Sequence, residues 1–294
     1  MDRAELLSKI APFPILAKGL AADFLSGDYR SVFKGQGIEF DEVRRYETGD
    51  DARSIDWNVS ARFGVPFVKM YREEREMTIC LILDNSASMH TAGGGYTLYE
   101  QGLLAAALIA FSAEHSELRL CGIFFDNEIQ KIFPPGKGRS HTMAFITAAL
   151  ENRPRAKGTG LGLALAGAAR LLKKRSLVIV ISDFHSLNWE QEMDEISRHH
   201  DVIAIRIAGS METEIPYRGM FTLEDPETGR TVRSPAFAGF KSAWKLWHQE
   251  RRQVLEAIIR RSGAAFLNLS VSDDAAAVLA GFFGRSRMPH ESRI

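Results

Sequence analysis

The sequence is poor in cysteine, with only Cys80 and Cys121 among its 294 residues. Both lie inside apolar runs, "MTICLIL" and "LRLCGIFF", where a small buried residue is expected on a strand. A disulfide framework or a zinc site would need more Cys or His at ligand spacing, so the sequence excludes both. We therefore expect free, buried thiols in a reducing compartment.

Long hydrophobic segments are also missing. The longest apolar run, residues 103–111, is far shorter than the roughly 20 residues that span a bilayer. Residues 1–20 carry charges and prolines where a signal peptide would have its apolar stretch. These absences predict a soluble, cytoplasmic protein without a membrane span.

Net charge is absent as well, because 37 acidic residues balance 37 basic ones. This balance gives no reason to expect nucleic acid or an anionic membrane as a partner. Residues 28–76 interleave arginines with aromatics, so a nucleic-acid-associated function through this stretch stays open as an alternative. The acids there nearly match the bases, which favours short surface strands joined by ion pairs over a surface that follows phosphates.

From residue 77 onwards, buried strands alternate with helices. The continuous apolar runs that predict these strands are residues 77–84, 118–125, 176–183 and 201–208. Gly263 is predicted to end a long helix, and Asp273 to begin the last one. The alternation predicts an α/β fold, a doubly wound and mainly parallel sheet flanked by helices.

This pattern also divides the chain. Residues 1–76 form an N-terminal helical and charged short-strand segment. Residues 77–284 form the α/β domain, with a β-hairpin insertion at about residues 212–236. Residues 285–294 are predicted to be a flexible tail.

Oxygen-bearing side chains stand where two of the predicted strands end. An aspartate and two serines follow the first buried strand, and Ser182 and an aspartate close the third. A threonine begins the glycine-rich helix "TGLG" that precedes the third strand. The candidate ligands are Asp84, Ser86, Ser88, Thr159 and Asp183. Because ligand sites of doubly wound sheets lie at the carboxyl ends of the strands, we expect these loops to converge.

Carboxylates and hydroxyls are hard oxygen donors of the kind that Mg²⁺ or Mn²⁺ prefers. The spacing Asp-x-Ser-x-Ser lets alternate side chains of an extended loop point the same way. Glycines beside Thr159 would let its loop approach closely. The alternative is that Asp84 and its serines only cap a turn. The expected convergence favours a metal site, without catalytic residues or an organic cofactor.

The series Asp84-x-Ser86-x-Ser88, Thr159 and Asp183 resembles the metal-ion-dependent adhesion site of von Willebrand factor A domains. The resemblance implies a von Willebrand A-like, Rossmann-like fold. It implies that the first four residues lie in or next to the first coordination shell of the metal, and that Asp183 acts through water. It also implies an open coordination position for an acidic side chain of a protein partner.

A second resemblance lies in the preceding segment. "GQGIEF" at residues 35–40, "RRY" at 44–46, "GDDARSIDW" at 49–57 and "AR" at 61–62 resemble the signature of an uncharacterised bacterial family that carries such a domain. Members of that family are often encoded beside MoxR-type AAA ATPases. The resemblance implies a protein-interaction module that serves as adaptor or cofactor to such an ATPase, in protein maturation or complex assembly.

An Mg²⁺-dependent hydrolase or phosphatase is the rival class. A haloacid-dehalogenase-type site would have a second aspartate where Ser86 stands. No Gly-x-Ser-x-Gly elbow occurs at the strand ends, and no P-loop lysine follows "GTGLG". The proposed site has no obvious general base beside a nucleophile. We therefore expect that the protein is not an enzyme.

Several other residues have structural interpretations. Asp126 is interpreted as a turn residue, with a supporting role behind the metal ligands as the alternative, and His90 as a loop residue. His199 and His200 are expected to favour the negative end of a helix. Trp244 and Trp247, at helical spacing, are expected in the core or at an interface.

Overall fold

The structure is a computed structural model that describes residues 8–11, 13, 17, 38–47, 50–51, 54–73, 77–91, 96–154, 158–212, 219–224, 226, 229–236 and 238–285. The predicted tail lies outside the described residues from 286 onwards, as does most of the predicted N-terminal helical segment. Contacts divide the chain into two compact units. One unit contains residues 30–76, and the other contains residues 1–29 together with 77–294.

The smaller unit is built on two antiparallel strands, β1 (Ile38–Arg45) and β2 (Phe67–Glu73). Helix α1 (Trp57–Phe63) lies between them in the chain. It begins after Asp56, whose Oδ1 accepts hydrogen bonds from the first free N–H groups of the helix. It ends at Gly64, which has the left-handed φ of 71° that glycine adopts without strain.

An ion pair fixes the loop after β1. The two terminal nitrogens of the Arg44 guanidinium donate to the Asp50 carboxylate, over 2.6 and 2.8 Å. The hydrogen bond from Arg44 holds the pKa of Asp50 below its ordinary value. The described part of this unit thus combines two short strands with the Arg44–Asp50 ion pair.

The larger unit alternates strands and helices. In chain order these are β3 (Thr78–Asp84), α2 (Leu98–His115), β4 (Arg119–Phe125), β5 (Ile129–Gly136), α3 (Arg139–Glu151), α4 (Leu161–Leu171), β6 (Leu177–Ser182), α5 (Glu190–His199), β7 (Asp201–Ala208), β8 (Gly219–Glu224), β9 (Thr231–Ala236), α6 (Ala238–Arg261), β10 (Ala265–Ser270) and α7 (Ala275–Arg285). Strands β8 and β9 pair as a separate antiparallel hairpin.

The other strands form one six-stranded sheet in the order β10-β7-β6-β3-β4-β5. All neighbours are parallel except β5, which runs antiparallel to β4 at the edge. The chain starts at β3, builds to one side through β4 and β5, and then returns to build the other side from β6. The strand order therefore reverses between β3 and β6, which confirms the predicted doubly wound α/β fold.

Helices cover both faces of this sheet. On one face, apolar residues of α4 and α5 pack with alternate side chains of the central strands, such as Ile82 and Val180. On the other face, α2 approaches closely at Gly102, where a Cβ would lie only 3.0 Å from Ile181. Helix α2 begins with a capping box, because Thr97 and Glu100 exchange side-chain to backbone hydrogen bonds. This double cover explains why the strands read as continuous apolar runs.

Two predicted helix ends can be compared with the structure. Gly263 follows α6 with a left-handed φ of 89°, as predicted. The predicted cap of α7 was wrong by one residue. Asp274 accepts the N–H of Ala276, whereas Asp273 accepts the N–H of Ser270 and so closes the turn after β10. Within the described ranges, no helix is long and apolar enough to cross a membrane.

Candidate metal site

The carboxyl ends of β3 and β6 are joined by a buried carboxylate. Asp84 ends β3 and is fully buried. Its Oδ1 accepts the N–H of Ser86 at 2.9 Å, which makes the turn after the strand. Its Oδ2 accepts the hydroxyl of Ser182 at 2.6 Å. The hydroxyl oxygens of Ser86 and Ser88 lie 3.1 Å apart. The structure thus brings three of the predicted ligands and Ser182 together.

A second buried carboxylate follows β6. Asp183 is 1% exposed, and its Oδ1 accepts the N–H of His185 at 2.9 Å. Its Oδ2 is buried and has no hydrogen-bond partner. The imidazole Nδ1 of His185, on a partly exposed ring, lies 3.6 Å from this oxygen. One oxygen of Asp183 therefore remains available to a ligand.

The backbone beside Asp183 is strained. Phe184 is buried and has a φ of 57°, in the left-handed region that a bulky residue rarely adopts. Its N–H donates to the Ser182 hydroxyl at 2.9 Å, and its ring meets Trp189 edge-on, with centroids 5.5 Å apart. These contacts hold the unusual turn in place, and such strain concentrates at functional sites.

The charge of Asp183 acts on the Asp84 carboxyl group. Burial, and then the charge of Asp183, raise the pKa of Asp84 to about 7, although hydrogen bonds from Ser182 and Ser86 act in the opposite direction. No lysine or arginine among the described residues forms an ion pair with Asp84 or Asp183. A bound cation would remove this electrostatic cost.

Thr159 lies on the loop before α4. The N–H of Gly160 donates to the carbonyl of Asp126, after β4, at 2.6 Å. A side chain at Gly160 would place its Cβ 2.5 Å from the carbonyl oxygen of Asn127, so only glycine permits this approach. The hydroxyl of Ser186 donates to the Thr159 carbonyl at 2.7 Å. The loop is thus fixed between the ends of β4 and β6.

The hydrogen bond between Thr159 and Ser186 uses the backbone carbonyl of Thr159. Among the described residues, no hydrogen bond joins its hydroxyl to Asp84 or Asp183. The structure therefore connects the Thr159 loop to the loop of Asp183 through Ser186, and it leaves a direct ligand role for the Thr159 hydroxyl as a prediction.

A chain of amides supports the Asp84 loop from the β4 side. The amide of Asn85 donates to Gln130 Oε1 at 2.9 Å, and the amide of Gln130 donates to Asp126 Oδ2 at 2.6 Å. Asp126 is buried, and its other carboxylate oxygen accepts the N–H of Glu128. The turn role predicted for Asp126 is confirmed. The same residue also anchors two loops of the site through its carboxylate and its carbonyl.

His90 is more than a loop residue. Its Nε2 lies 2.8 Å from Asn85 Oδ1, and its ring stacks on Tyr99 with centroids 4.7 Å apart. Burial lowers the pKa of His90. Sequence reasoning missed the supporting roles of Asn85, Gln130 and His90. The only available signal was that Asp126 directly follows β4, much as Asp84 ends β3.

The donor set fits a hard cation. Within the described part of the chain, no three or more His, Cys, Asp or Glu side chains form a metal-binding group. The site instead combines two carboxylates with serine hydroxyls, and one buried carboxylate oxygen lacks a partner. Oxygen donors of this type suit Mg²⁺ or Mn²⁺, which also retain several waters.

Comparisons with known proteins place the chain in a family. The model for the protein family of unknown function DUF58 matches residues 42–244, more than half of the chain. The chain belongs to the DUF58 family. An uncharacterised protein of Mycobacterium tuberculosis (strain H37Rv) is 27% identical over 290 residues, which cover 98% of this chain and 92% of that protein. An uncharacterised protein of Mycobacterium avium is 27% identical over 153 residues, covering 50% of this chain and 90% of that protein.

Among solved structures, an aerotolerance-related membrane protein from Bacteroides fragilis has a TM-score of 0.50. It is 15% identical, and the match covers 71% of this DUF58 chain and 99% of that chain. The conserved hypothetical protein BatB from Bacteroides thetaiotaomicron matches with a TM-score of 0.49 and 15% identity, over 71% and 98% of the two chains. At this identity, the first match supports the von Willebrand A-like fold of this DUF58 protein and nothing about its ligands.

Proposed function

We propose that this DUF58 protein is a metal-dependent protein-interaction module of the cytoplasm. In this proposal, Mg²⁺ or Mn²⁺ binds at Asp84, Ser86, Ser88, Thr159 and Asp183. A protein partner supplies an acidic side chain to the metal. The partner is a MoxR-type AAA ATPase, which the module serves as adaptor or cofactor in protein maturation or complex assembly.

One observation carries the metal part of the proposal. Asp84 and Asp183 are both buried, and Asp183 Oδ2 has no hydrogen-bond partner. Two neighbouring buried carboxylates cost folding free energy unless a cation compensates them. A chain that keeps both at the switch point of its sheet has the arrangement expected of a cation site.

The candidate ligands would offer the ion two kinds of oxygen donor. Asp84 and Asp183 would supply negative charge, and the serine and threonine hydroxyls would supply neutral oxygens. Ser182 and the N–H of His185 orient the two carboxylates through the hydrogen bonds described above. When bound, the cation would act as a positive centre that attracts a carboxylate of the partner.

The proposed ATPase partner rests on the resemblance of residues 35–62 to the family that is often encoded beside such ATPases. The hydrogen bonds of the serine hydroxyls favour a binding role over hydrolysis. Ser182 donates to a carboxylate, and Ser86 contacts Ser88. Among the described residues, neither hydroxyl contacts a histidine that could accept its proton as a general base.

Titration calorimetry tests the metal site. Wild-type protein should bind Mg²⁺ and Mn²⁺ with a saturable heat, and Asp84→Ala should lose it. Asp201→Ala is the matched control, because it removes a carboxylate at the opposite end of the same sheet. Equal heats from wild type and Asp84→Ala, or no heat from wild type with either cation, would refute the metal site.

A pull-down tests the partner. The tagged protein is co-expressed with the MoxR-type ATPase of the same organism and purified with Mg²⁺ or with EDTA. The ATPase should co-purify only with Mg²⁺, and Asp84→Ala should behave like the EDTA sample. Retention of the ATPase in EDTA would separate the partner from the metal, and its absence in both samples would refute the partner.

A further inference from the structure

A small cleft opens beside Asp183, between the loop after β6 and helix α6. Its volume is about 140 Å³, which is room for one medium-sized side chain. The residues that line it include Asp183, His185, Arg206, Arg251, Val254 and Ile258. Asp183 is also a candidate metal ligand, so the cleft borders the candidate metal site.

The two elements that line this cleft, α6 and the loop after β6, carry exposed apolar side chains. On α6, Val254 is 60% exposed, and Trp247 is 49% exposed two turns before it. In the loop after β6, Leu187 lies between the lining residues Ser186 and Trp189 in sequence and is 82% exposed. Single exposed apolar residues are ordinary, but a group around a cleft is typical of an interaction surface.

The two arginines of the cleft differ in their hydrogen-bond and ion-pair partners. Arg206 is buried and already satisfied, because its guanidinium donates to Glu212 Oε2 at 2.5 Å and to Asn268 Oδ1 at 2.9 Å. Arg251 is exposed and lies over the Trp247 ring, 5.4 Å from its centroid. No carboxylate of the described residues pairs with Arg251. The cleft thus offers one cation that can receive an acidic group.

The neighbouring helix limits which acidic partner fits. Helix α5 begins beside the cleft, and its sequence EQEMDEISRH carries four acids. A polyanion such as nucleic acid or an anionic membrane would be repelled there, since binding it requires many clustered cations. A short protein segment with one or two carboxylates and an apolar residue carries few charges, so it meets much less repulsion, and its apolar residue fits the apolar lining of the cleft.

We infer that this cleft receives an apolar side chain of the same partner segment whose carboxylate completes the metal site. Arg251 binds a second acidic group of that segment. This inference rests on the proposed function and adds a chemical description of the partner: an acidic residue with an apolar residue close to it in sequence. Burial of one apolar side chain accounts for roughly a tenfold gain in affinity.

Fluorescence anisotropy with synthetic peptides tests the inference. The probes are labelled glycine-serine peptides that carry Asp and Leu at a small set of spacings, the same pairs with a second Asp, Asp alone, Leu alone or neither. With Mg²⁺, wild type should bind the best Asp-Leu peptide about tenfold more tightly than the Asp peptide. Val254→Ser should remove most of this preference, and Arg251→Gln should weaken only peptides with a second acid.

The matched control is Leu246→Ser. Leu246 is 55% exposed on the same helix but does not line the cleft. This variant should bind all peptides as wild type does. All three variants should keep the Mg²⁺ heat of wild type, because none changes a candidate metal ligand.

The outcomes separate this inference from the proposed function. If Mg²⁺ binds but leucine adds nothing, the cleft inference is overturned and the metal site stands. If Mg²⁺ does not bind but a leucine preference sensitive to Val254→Ser remains, the metal site fails and the cleft stands. Loss of the preference in Leu246→Ser, or no peptide binding up to about 1 mM, overturns the inference. So does self-association that Val254→Ser abolishes, because the occupant is then a second copy of the chain.

Discussion

At the amino ends of the parallel strands of the six-stranded sheet, which we call the amino end, an arginine and an aspartate form an ion pair. The guanidinium of Arg175 donates two hydrogen bonds to Asp201, over 2.7 and 3.2 Å. His200 is buried nearby, and burial, followed by the charge of His199, lowers its pKa, so it stays neutral at pH 7. At the carboxyl end, the buried carboxylates of Asp84 and Asp183 lie near each other with no lysine or arginine partner among the described residues.

Both ends belong to one sheet, so the fold alone does not explain this difference. A half-exposed ion pair such as that of Arg175 contributes little to stability. Two buried like charges lower stability, and they persist in a protein when another requirement outweighs the cost. The ion pair at the amino end has a structural role, and the unusual pair of carboxylates at the carboxyl end is what the proposed metal site would explain.

The largest effect should come from pH in metal-free protein. Burial raises the pKa of Asp84 from 3.8 to about 7, so between these values the folded state binds more protons than the unfolded state. The free energy of unfolding should therefore fall as the pH rises from about 4 to 7, by a few kcal/mol at about 1.4 kcal/mol per pKa unit. Denaturant unfolding in EDTA measures this slope.

The variant Asp84→Asn and added Mg²⁺ test whether the Asp84 carboxylate causes this slope. Asp84→Asn should remove the downward slope that wild type shows, because the amide does not titrate. Mg²⁺ should raise the stability of wild type at pH 7 and above by binding only the folded state. An identical slope in wild type and Asp84→Asn would mean that the carboxyl end bears no such electrostatic cost.

The next largest effect should come from Gly160→Ala. The new Cβ would meet the Asn127 carbonyl oxygen at 2.5 Å, so the Thr159 loop must move. We expect a loss of about 1–3 kcal/mol in stability and weaker Mg²⁺ binding, by denaturant unfolding and calorimetry. Gly281→Ala is the control. That residue lies in α7 with no atom near the new Cβ, so stability should rise by up to about 1 kcal/mol. Unchanged Mg²⁺ affinity in Gly160→Ala would place the metal away from this loop.

Gln130→Ala should have a smaller effect on stability. Its amide links Asn85 to Asp126, and it also accepts from Asn152 at 2.6 Å. Since Gln130 is only half-buried, water can replace part of this network, and we expect a loss of about 1 kcal/mol. Mg²⁺ affinity should fall several-fold, because outer hydrogen bonds orient metal ligands. Lys131→Ala, on the same strand, should leave Mg²⁺ affinity unchanged, and an equal loss in both variants would contradict a positioning role.

The smallest effect should come from Arg175→Ala at the amino end. The side chain of Arg175 is 50% exposed, so its ion pair is screened by water and salt. We expect a loss of at most about 1 kcal/mol, which decreases at high salt, and no change in Mg²⁺ binding. A double-mutant cycle with Asp201→Ala measures the pair. A coupling much larger than this, or altered Mg²⁺ binding, would break the contrast between the two ends.

Much of the sheet could be predicted because each central strand is covered on both faces. The runs predicted at 77–84 and 176–183 became strands Thr78–Asp84 and Leu177–Ser182, one or two residues shorter than expected. Local chemistry also fixed the start of α2, through its capping box. The cap of α7 was missed because two consecutive aspartates can both cap, and only the backbone path after β10 decides between them.

By itself, the sequence determined the elements and their order, and therefore that Asp84 and Asp183 stand at strand ends. Apolar periodicity and strand-end position are local properties of the chain. Only the tertiary structure decided that Ser182 donates to Asp84 across 98 residues and that Asp183 keeps an unpartnered oxygen. It also decided that Gln130 connects two loops and that a cleft opens against α6. These features depend on which elements become neighbours and how closely they pack, and sequence spacing does not encode either quantity.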